Sequence, residues 1–237
     1  KAKFFDQLDY LINQGEINAV IGSYVSRSQI RYNAEKKNPF CNSPLKYVSK
    51  VDLTQKCDFN EVFVKGAKAI LSGGTVENRS QGLLTNGIQT AGNVFDQIGP
   101  LTTEIQKIIR DELEIYRTNF KDSQEGLIKN WPLNFSINGW LVSMKSGGEL
   151  APHIHEAGWL SGSIYINVPR NLTNNSGNLV VSMYDELNNN DTDKENSKSI
   201  NVTTGSLCLF PASLLHYTIP FQSNEDRIVL AFDVVPE

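Results

Sequence analysis

The sequence has few cysteines, no excess of positive charge and no long apolar run. Its three cysteines, Cys41, Cys57 and Cys208, form no close-spaced pair, which is typical of reduced thiols rather than of a disulfide framework. The formal net charge of −4 argues against a nucleic-acid-binding protein, which normally has a basic face. Neither an apolar membrane span nor a signal peptide is recognisable. We therefore expect a cytoplasmic protein without nucleic-acid or membrane partners. Because the chain begins at Lys1 rather than methionine, we also expect it to come from a longer polypeptide.

Histidine is scarce as well, and its placement is informative. Only three histidines occur: His153 and His155 lie within residues 152–156, and His216 ends the segment 210–216. Imidazole is the commonest neutral metal ligand in proteins. Histidines that lie two residues apart on a strand have both rings on one face, and a β-barrel can bring the third ring from another strand. The pattern predicts a site for iron, zinc, copper or nickel.

The two halves of the chain differ in periodicity. Helical spacing of apolar residues recurs over 3–14, 59–71 and 98–119, whereas 82–95 favours strand and loop. After about residue 130, short β-branched and aromatic runs alternate with turn residues, as in an antiparallel sandwich or barrel. The predicted strands lie near residues 135–144, 162–168, 177–182, 199–202, 206–210, 216–219 and 228–234. We expect a mainly β, α+β protein in which a helical region, 1–126, braces a core, 127–237, within one structural unit.

The order of the polar residues narrows the chemistry. A common redox site in barrels holds iron with two histidines and one carboxylate, written His-x-Asp/Glu followed far downstream by a second histidine. Here His155 stands where the carboxylate is expected, and His216 follows His153 by 63 residues. Arg227 opens the last apolar strand, where a buried guanidinium is costly unless it binds an anion. A carboxylate group of a dicarboxylate is planar and can accept two parallel hydrogen bonds from the guanidinium.

The segment from Trp140 to Pro236 resembles the 2-oxoglutarate/Fe(II)-dependent oxygenases, in the style of the prolyl and aspartyl hydroxylases. The matching pieces are Pro152–His155, Leu160–Pro169, Gly205–Pro211, His216 and Arg227–Asp233. The resemblance implies a double-stranded β-helix, a jelly-roll or cupin-like core with the metal at one open end and the N-terminal helices packed on it.

The resemblance also implies roles for individual residues. His153 and His216 would be iron ligands, and Arg227 and Tyr165 would hold the far carboxylate of 2-oxoglutarate. His155 is the candidate third ligand; the alternatives are Glu156 or neither. The implied activity uses Fe(II), 2-oxoglutarate and O2 to hydroxylate a C–H bond of a peptide, protein or small-molecule substrate. It requires no catalytic residue beyond the metal site.

Other interpretations of the same residues stay open at this point. The chain could be a three-histidine cupin-like metalloenzyme that does not use 2-oxoglutarate, or a non-catalytic binding module. Arg227 could form a surface ion pair with Glu225 or Asp226, and Tyr165 could fill the barrel core. Trp140 and Trp159 flank the histidine motif and are candidates for the substrate pocket.

Overall fold

The computed structural model describes residues 2–72, 78–79, 81–97, 99–184 and 195–237. The helices are α1 (Ala2–Asn13), α2 (Ala19–Tyr32), α3 (Lys65–Ser72), α4 (Pro100–Asn119) and α5 (Gly126–Lys129). The strands are β1 (Ser49–Asp52), β2 (Asn78–Arg79), β3 (Leu84–Thr90), β4 (Phe135–His153), β5 (Leu160–Asn167), β6 (Leu179–Ser182), β7 (Ser197–Ile200), β8 (Ser206–Pro211), β9 (Leu215–Thr218) and β10 (Arg227–Pro236). The seven strands predicted after residue 130 are confirmed as β4 to β10. The helix predicted over 98–119 is confirmed as α4, although Ile98 lies outside the described residues.

All strand pairs are antiparallel, in the order β1-β8-β5-β10-β4-β9-β6-β7, with β3 also on β4 and β2 on β3. The long strand β4 links the two halves of this arrangement. Its first part pairs with β10, from Phe135↔Pro236 to Met144↔Arg227, and its last part pairs with β9. The predicted double-stranded β-helix is confirmed, and the end of β4 brings His153 opposite His216.

Strand β10 shows how the sheet separates its two faces. Ile228, Leu230, Phe232 and Val234 pack into the large core beneath the helices. The alternate residues Arg227, Val229 and Ala231 line a cavity on the opposite face. Side chains on a strand alternate with a period of two, so one apolar strand supplies both the core and the cavity wall.

The helices cover the first of these faces. Pro100 occupies the first turn of α4, where its missing N–H costs nothing, and buried residues at three- and four-residue spacing follow it. They pack with the sheet in one core, and they are Ile105, Ile109, Leu113 and Tyr116. The N-terminal region also supplies β1, β2 and β3, which pair with the sheet. The division into residues 1–126 and 127–237 stays a prediction.

Among the described residues, no helix is both long enough and apolar enough to cross a membrane.

Candidate metal centre

The three histidines meet at one end of the barrel. His153 is the last residue of β4 and is paired across the sheet with His216 of β9. His155 lies two residues beyond the end of β4. One ring nitrogen from each residue lies within 4.8 Å of the others, and the ring centres of His153 and His155 are 4.2 and 4.6 Å from that of His216.

A hydrogen bond at Nδ1 orients each of the three rings. His153 donates from Nδ1 to the Ala151 carbonyl at 2.8 Å, and His216 makes a longer bond of 3.4 Å from Nδ1 to the Leu214 carbonyl. His155 donates from Nδ1 to Oδ1 of Asp233 at 2.7 Å. Because these acceptors require a proton on each Nδ1, each Nε2 carries a free lone pair.

The spacing of these lone pairs suits a metal ion. The Nε2 atoms of His153 and His155 are 3.2 Å apart. Two imidazole nitrogens bound about 2.0–2.1 Å from one transition-metal ion lie at about this separation. The three residues therefore fit a transition metal, with His153 and His155 bound through Nε2.

Burial favours the neutral, ligating form of the rings. It lowers the pKa of His153 to about 4, with a smaller contribution from the neighbouring His155. Burial also holds the pKa of His216 well below its usual value, and the other two histidines act in the same direction. Protons therefore compete weakly with a metal for these nitrogens near neutral pH.

Asp233 belongs to the site, although sequence reasoning did not find it. It is 8% exposed and accepts hydrogen bonds at Oδ1 from His155 and from the Ser161 hydroxyl, each at 2.7 Å. One signal was present in the sequence: Asp233 is an acidic residue in the apolar strand β10. A buried carboxylate needs donors, but the strand alone does not identify them.

Arg227 is buried beneath the same cavity. It is 2% exposed, so the alternative of a surface ion pair with Glu225 or Asp226 is wrong. Its guanidinium carbon lies 5.0 Å from the centre of the Tyr165 ring, and Nη1 lies 3.8 Å from Sδ of Met144. Within the described part of the chain, Nε has no hydrogen-bond partner. Burial lowers the pKa of Arg227 from its ordinary value, yet a guanidinium remains charged in proteins.

Tyr165 lies in the cavity wall beside Arg227. It is buried, and burial raises the pKa of its phenol well above the ordinary value. The hydroxyl therefore keeps its proton and can donate a hydrogen bond. Tyr165 also packs in a small apolar cluster that contains Cys208 and Phe210, so it contributes to the core and to the cavity.

The cavity joins these groups in one space. Its volume is about 610 Å³, and its lining includes the three histidines, Arg227 and Tyr165. Trp140 forms part of the wall, with its ring centre 5.2 Å from that of His155. A volume of this size accommodates a small dicarboxylate together with part of a larger molecule.

Two sequence candidates lie elsewhere. Trp159 is 6% exposed, donates from Nε1 to the Leu127 carbonyl at 2.8 Å and packs edge-on against Phe40 beneath the helices. It is a core residue, which corrects its assignment to the substrate pocket. Glu156 is exposed on the turn after His155 and is outside the group of ligand atoms that approach one another.

Comparison with protein families bears on this centre. Residues 138–233 match the family described as "Putative 2OG-Fe(II) oxygenase". The matched segment contains the three histidines, Asp233, Arg227 and Tyr165. The resemblance found in the sequence is confirmed for this segment, and the description of the matching family names Fe(II) and 2-oxoglutarate. No curated protein is significantly similar to the chain.

Solved structures share the fold at low sequence identity. A Pseudomonas putida prolyl-4-hydroxylase is 12% identical, with a TM-score of 0.55 over 80% of this chain and 92% of that one. A Trichoplax adhaerens prolyl hydroxylase, in complex with a hypoxia inducible factor peptide fragment, is 14% identical, with a TM-score of 0.53 over 90% of each chain. HygX from Streptomyces hygroscopicus, with nickel, 2-oxoglutarate and hygromycin B bound, is 13% identical, with a TM-score of 0.51 over 82% of this chain and 87% of that one. These similarities show the fold.

Proposed function

We propose that this chain is an Fe(II)- and 2-oxoglutarate-dependent dioxygenase that hydroxylates a C–H bond, with His153, His155 and His216 as the iron ligands. One ring nitrogen from each of the three histidines lies within 4.8 Å of the others, and the Nδ1 atoms are held by protein acceptors. Bound iron and 2-oxoglutarate would supply the oxidising chemistry with O2. The chain's own part is to hold the ligands, orient the cosubstrate and limit water in the cavity.

The single observation that carries the proposal is the unpartnered Nε of buried Arg227. A buried guanidinium whose Nε has no hydrogen-bond partner among the described residues is costly, so its retention beneath a cavity indicates an anionic ligand. We assign this ligand as the far carboxylate of 2-oxoglutarate, which Arg227 binds through its charged fork and Tyr165 through its hydroxyl. The surrounding sheet places both side chains in the same cavity as the histidines.

The substrate we propose is a peptide, protein or small molecule that enters past Trp140. The cavity has an open, partly polar wall, which includes Gln89, Thr90 and Asn138. The fold is shared with a hydroxylase in complex with a peptide and with a protein in complex with hygromycin B, so it is compatible with either class. We assign no protein acid or base to the hydrogen-abstraction step. We also propose a cytoplasmic location, because all three cysteines are free thiols.

One observation favours a second candidate function. The ligand set consists of three histidines, as in cupin-like metalloenzymes that do not use 2-oxoglutarate. Arg227 separates the two candidates, since only the first requires a cation for a dicarboxylate.

Anaerobic spectroscopy tests the proposal. Addition of Fe(II) and 2-oxoglutarate to the protein should produce the weak visible charge-transfer band of the chelate. Arg227→Met keeps the side-chain volume but removes the charge. We expect it to raise by 10-fold or more the 2-oxoglutarate concentration at which the band reaches half of its maximal absorbance. Arg170→Met, at an exposed arginine, is the matched control and should behave as the parent chain. Iron binding without a band, or an Arg227→Met variant with unchanged affinity, would favour the second candidate.

A further inference from the structure

The hydrogen-bond acceptor at Nδ1 of His155 differs in kind from those at Nδ1 of the other two histidines. His153 and His216 donate from Nδ1 to backbone carbonyls, which are neutral. His155 donates to the carboxylate of Asp233, at 2.7 Å. A hydrogen bond to an ionised acceptor is roughly twice as strong as one between neutral groups.

The carboxylate of Asp233 accepts two hydrogen bonds at Oδ1 and lies close to Gly158. Register pairs Asp233 of β10 with Ser161 of β5, and the Ser161 hydroxyl donates to the same Oδ1 at 2.7 Å. A Cβ on Gly158 would lie 3.3 Å from Cγ and Oδ1 of Asp233 and 3.1 Å from Cβ of Ala212. A side chain at 158 would therefore press against the carboxylate, and glycine leaves the room that it needs.

We infer that Asp233 is a positioning residue that orients His155 as the third metal ligand. Through its hydrogen bond to this ring, Asp233 also supplies the negative charge that a coordinating carboxylate would supply in a site of two histidines and one carboxylate. The inference rests on the proposed function, because it concerns the ligand set of the proposed iron. His155 stands at the position where that motif has its carboxylate, and Asp233 is the carboxylate that contacts it.

Charge balance explains why such a pair is useful. Three neutral imidazoles leave the full charge of a divalent metal uncompensated, whereas one carboxylate ligand lowers it by one. Asp233 supplies one negative charge, separated from the metal position by one imidazole ring. A carboxylate behind a ligating histidine also fixes the ring and makes its Nε2 more basic, which strengthens the bond to the metal.

Metal titration of three variants tests the inference. Mn(II) is titrated anaerobically into the apo-protein by calorimetry, and Co(II) is followed by its visible ligand-field spectrum. Asp233→Asn preserves shape and removes the charge, and it should weaken Mn(II) binding by about 10- to 100-fold. Ser161→Ala removes one donor to Oδ1 and should cause a smaller loss with the same sign. Asp111→Asn makes the same chemical change on the exposed face of α4 and should leave binding unchanged.

A second background distinguishes positioning of His155 from general support of the fold. In His155→Asp the ligand set becomes two histidines and a carboxylate, and no imidazole remains for Asp233 to orient. Adding Asp233→Asn to this background should lower Mn(II) affinity far less than it does in the parent chain, because no hydrogen bond to a ligating ring is lost and only the more distant attraction of the carboxylate for the cation is removed. It should also leave the Co(II) spectrum unchanged, whereas Asp233→Asn alone should shift it.

The outcomes separate the inference from the proposed function. If the parent chain binds no Mn(II) or Co(II), the metal centre itself is refuted. If the parent binds metal and Asp233→Asn binds it equally well, the inference is refuted while the centre stands. An equal loss of affinity in both backgrounds would also refute it, because Asp233 would then act independently of His155. If Asp233→Asn does not fold, the Ser161→Ala result decides: a loss of affinity supports the inference and unchanged affinity refutes it.

Discussion

The Nε2 atoms of His153 and His155 face each other at 3.2 Å, and while both rings are neutral neither can donate to the other, because each carries its proton on Nδ1. Two lone pairs at this distance repel each other unless a cation lies between them. Protonation of His153 would relieve the repulsion but is unfavourable, since burial lowers its pKa to about 4. A metal ion removes the repulsion, so metal binding and stability of this end of the barrel should be linked.

Mn(II) should therefore stabilise the protein against heat. A ligand that binds only the folded state adds about 2.7 kcal/mol when its concentration is 100 times the Kd. We expect an increase in Tm with Mn(II), reversal by a chelator, and little response to Mg(II), which prefers oxygen ligands. His216→Ala should lose the Mn(II) response. If Mn(II) and Mg(II) shift the Tm equally, or if His216→Ala retains the shift, the three-histidine site is not the one that binds.

Arg227 should reduce stability in the absence of an anion. Its buried Nε lacks a partner among the described residues, and replacing a buried charge by an apolar side chain of similar size is often neutral or stabilising. Arg227→Met should raise the free energy of unfolding of the apo-protein by about 1–3 kcal/mol. With Mn(II) present, added 2-oxoglutarate should stabilise the parent and not the variant. Chemical denaturation with and without 2-oxoglutarate measures both effects; an apo-variant that is clearly less stable than the parent would contradict them.

The two tryptophans that flank the histidine motif should respond differently to substitution. Trp159→Phe removes the hydrogen bond to the Leu127 carbonyl and part of a buried ring, which should cost about 1–3 kcal/mol of stability while leaving metal and 2-oxoglutarate affinity unchanged. Trp140→Ala alters the cavity wall beside His155 and should change the Fe(II)/2-oxoglutarate absorption band with less effect on stability. Thermal unfolding and anaerobic titration of both variants check the contrast, and the reverse pattern would place Trp159 at the site.

Gly162 of β5 should not tolerate even a methyl group. A Cβ there would overlap the ring of Phe232, inside the core between the sheet and the helices. Gly162→Ala should destabilise the protein by about 1–3 kcal/mol or more, since overpacking forces neighbouring side chains from their preferred rotamers. Gly82→Ala is the control, because a Cβ at that position meets no atom of the described residues within 4 Å. Equal midpoints of denaturation for the two variants would contradict this packing.

The sequence predicted most of the fold and much of the site, because the relevant signals are local. The β-strand periodicity after residue 130 located β4 to β10, and the spacing of His153 and His155 required only that the chain be extended there. Arg227 was recognisable because it opens an apolar strand. The way in which His216 reaches the other two rings depends on the register between β4 and β9, which sequence patterns alone do not determine.

What the sequence did not reveal depends on long-range packing. Asp233 contacts His155 across 78 residues, so no local pattern identifies this pair. The assignment of Trp159 failed for a different reason. Strand alternation from Ser161 would place Trp159 on the cavity face, but the chain bends at Trp159 before β5 begins at Leu160, and the indole turns toward the helices.

A crystal structure with Mn(II) and 2-oxoglutarate, analysed by anomalous diffraction, tests the central claim most directly. We predict one manganese peak at bonding distance from Nε2 of His153, His155 and His216, and the far carboxylate of 2-oxoglutarate on the Arg227 guanidinium. Manganese bound elsewhere, or 2-oxoglutarate bound without contact to Arg227, would contradict the account.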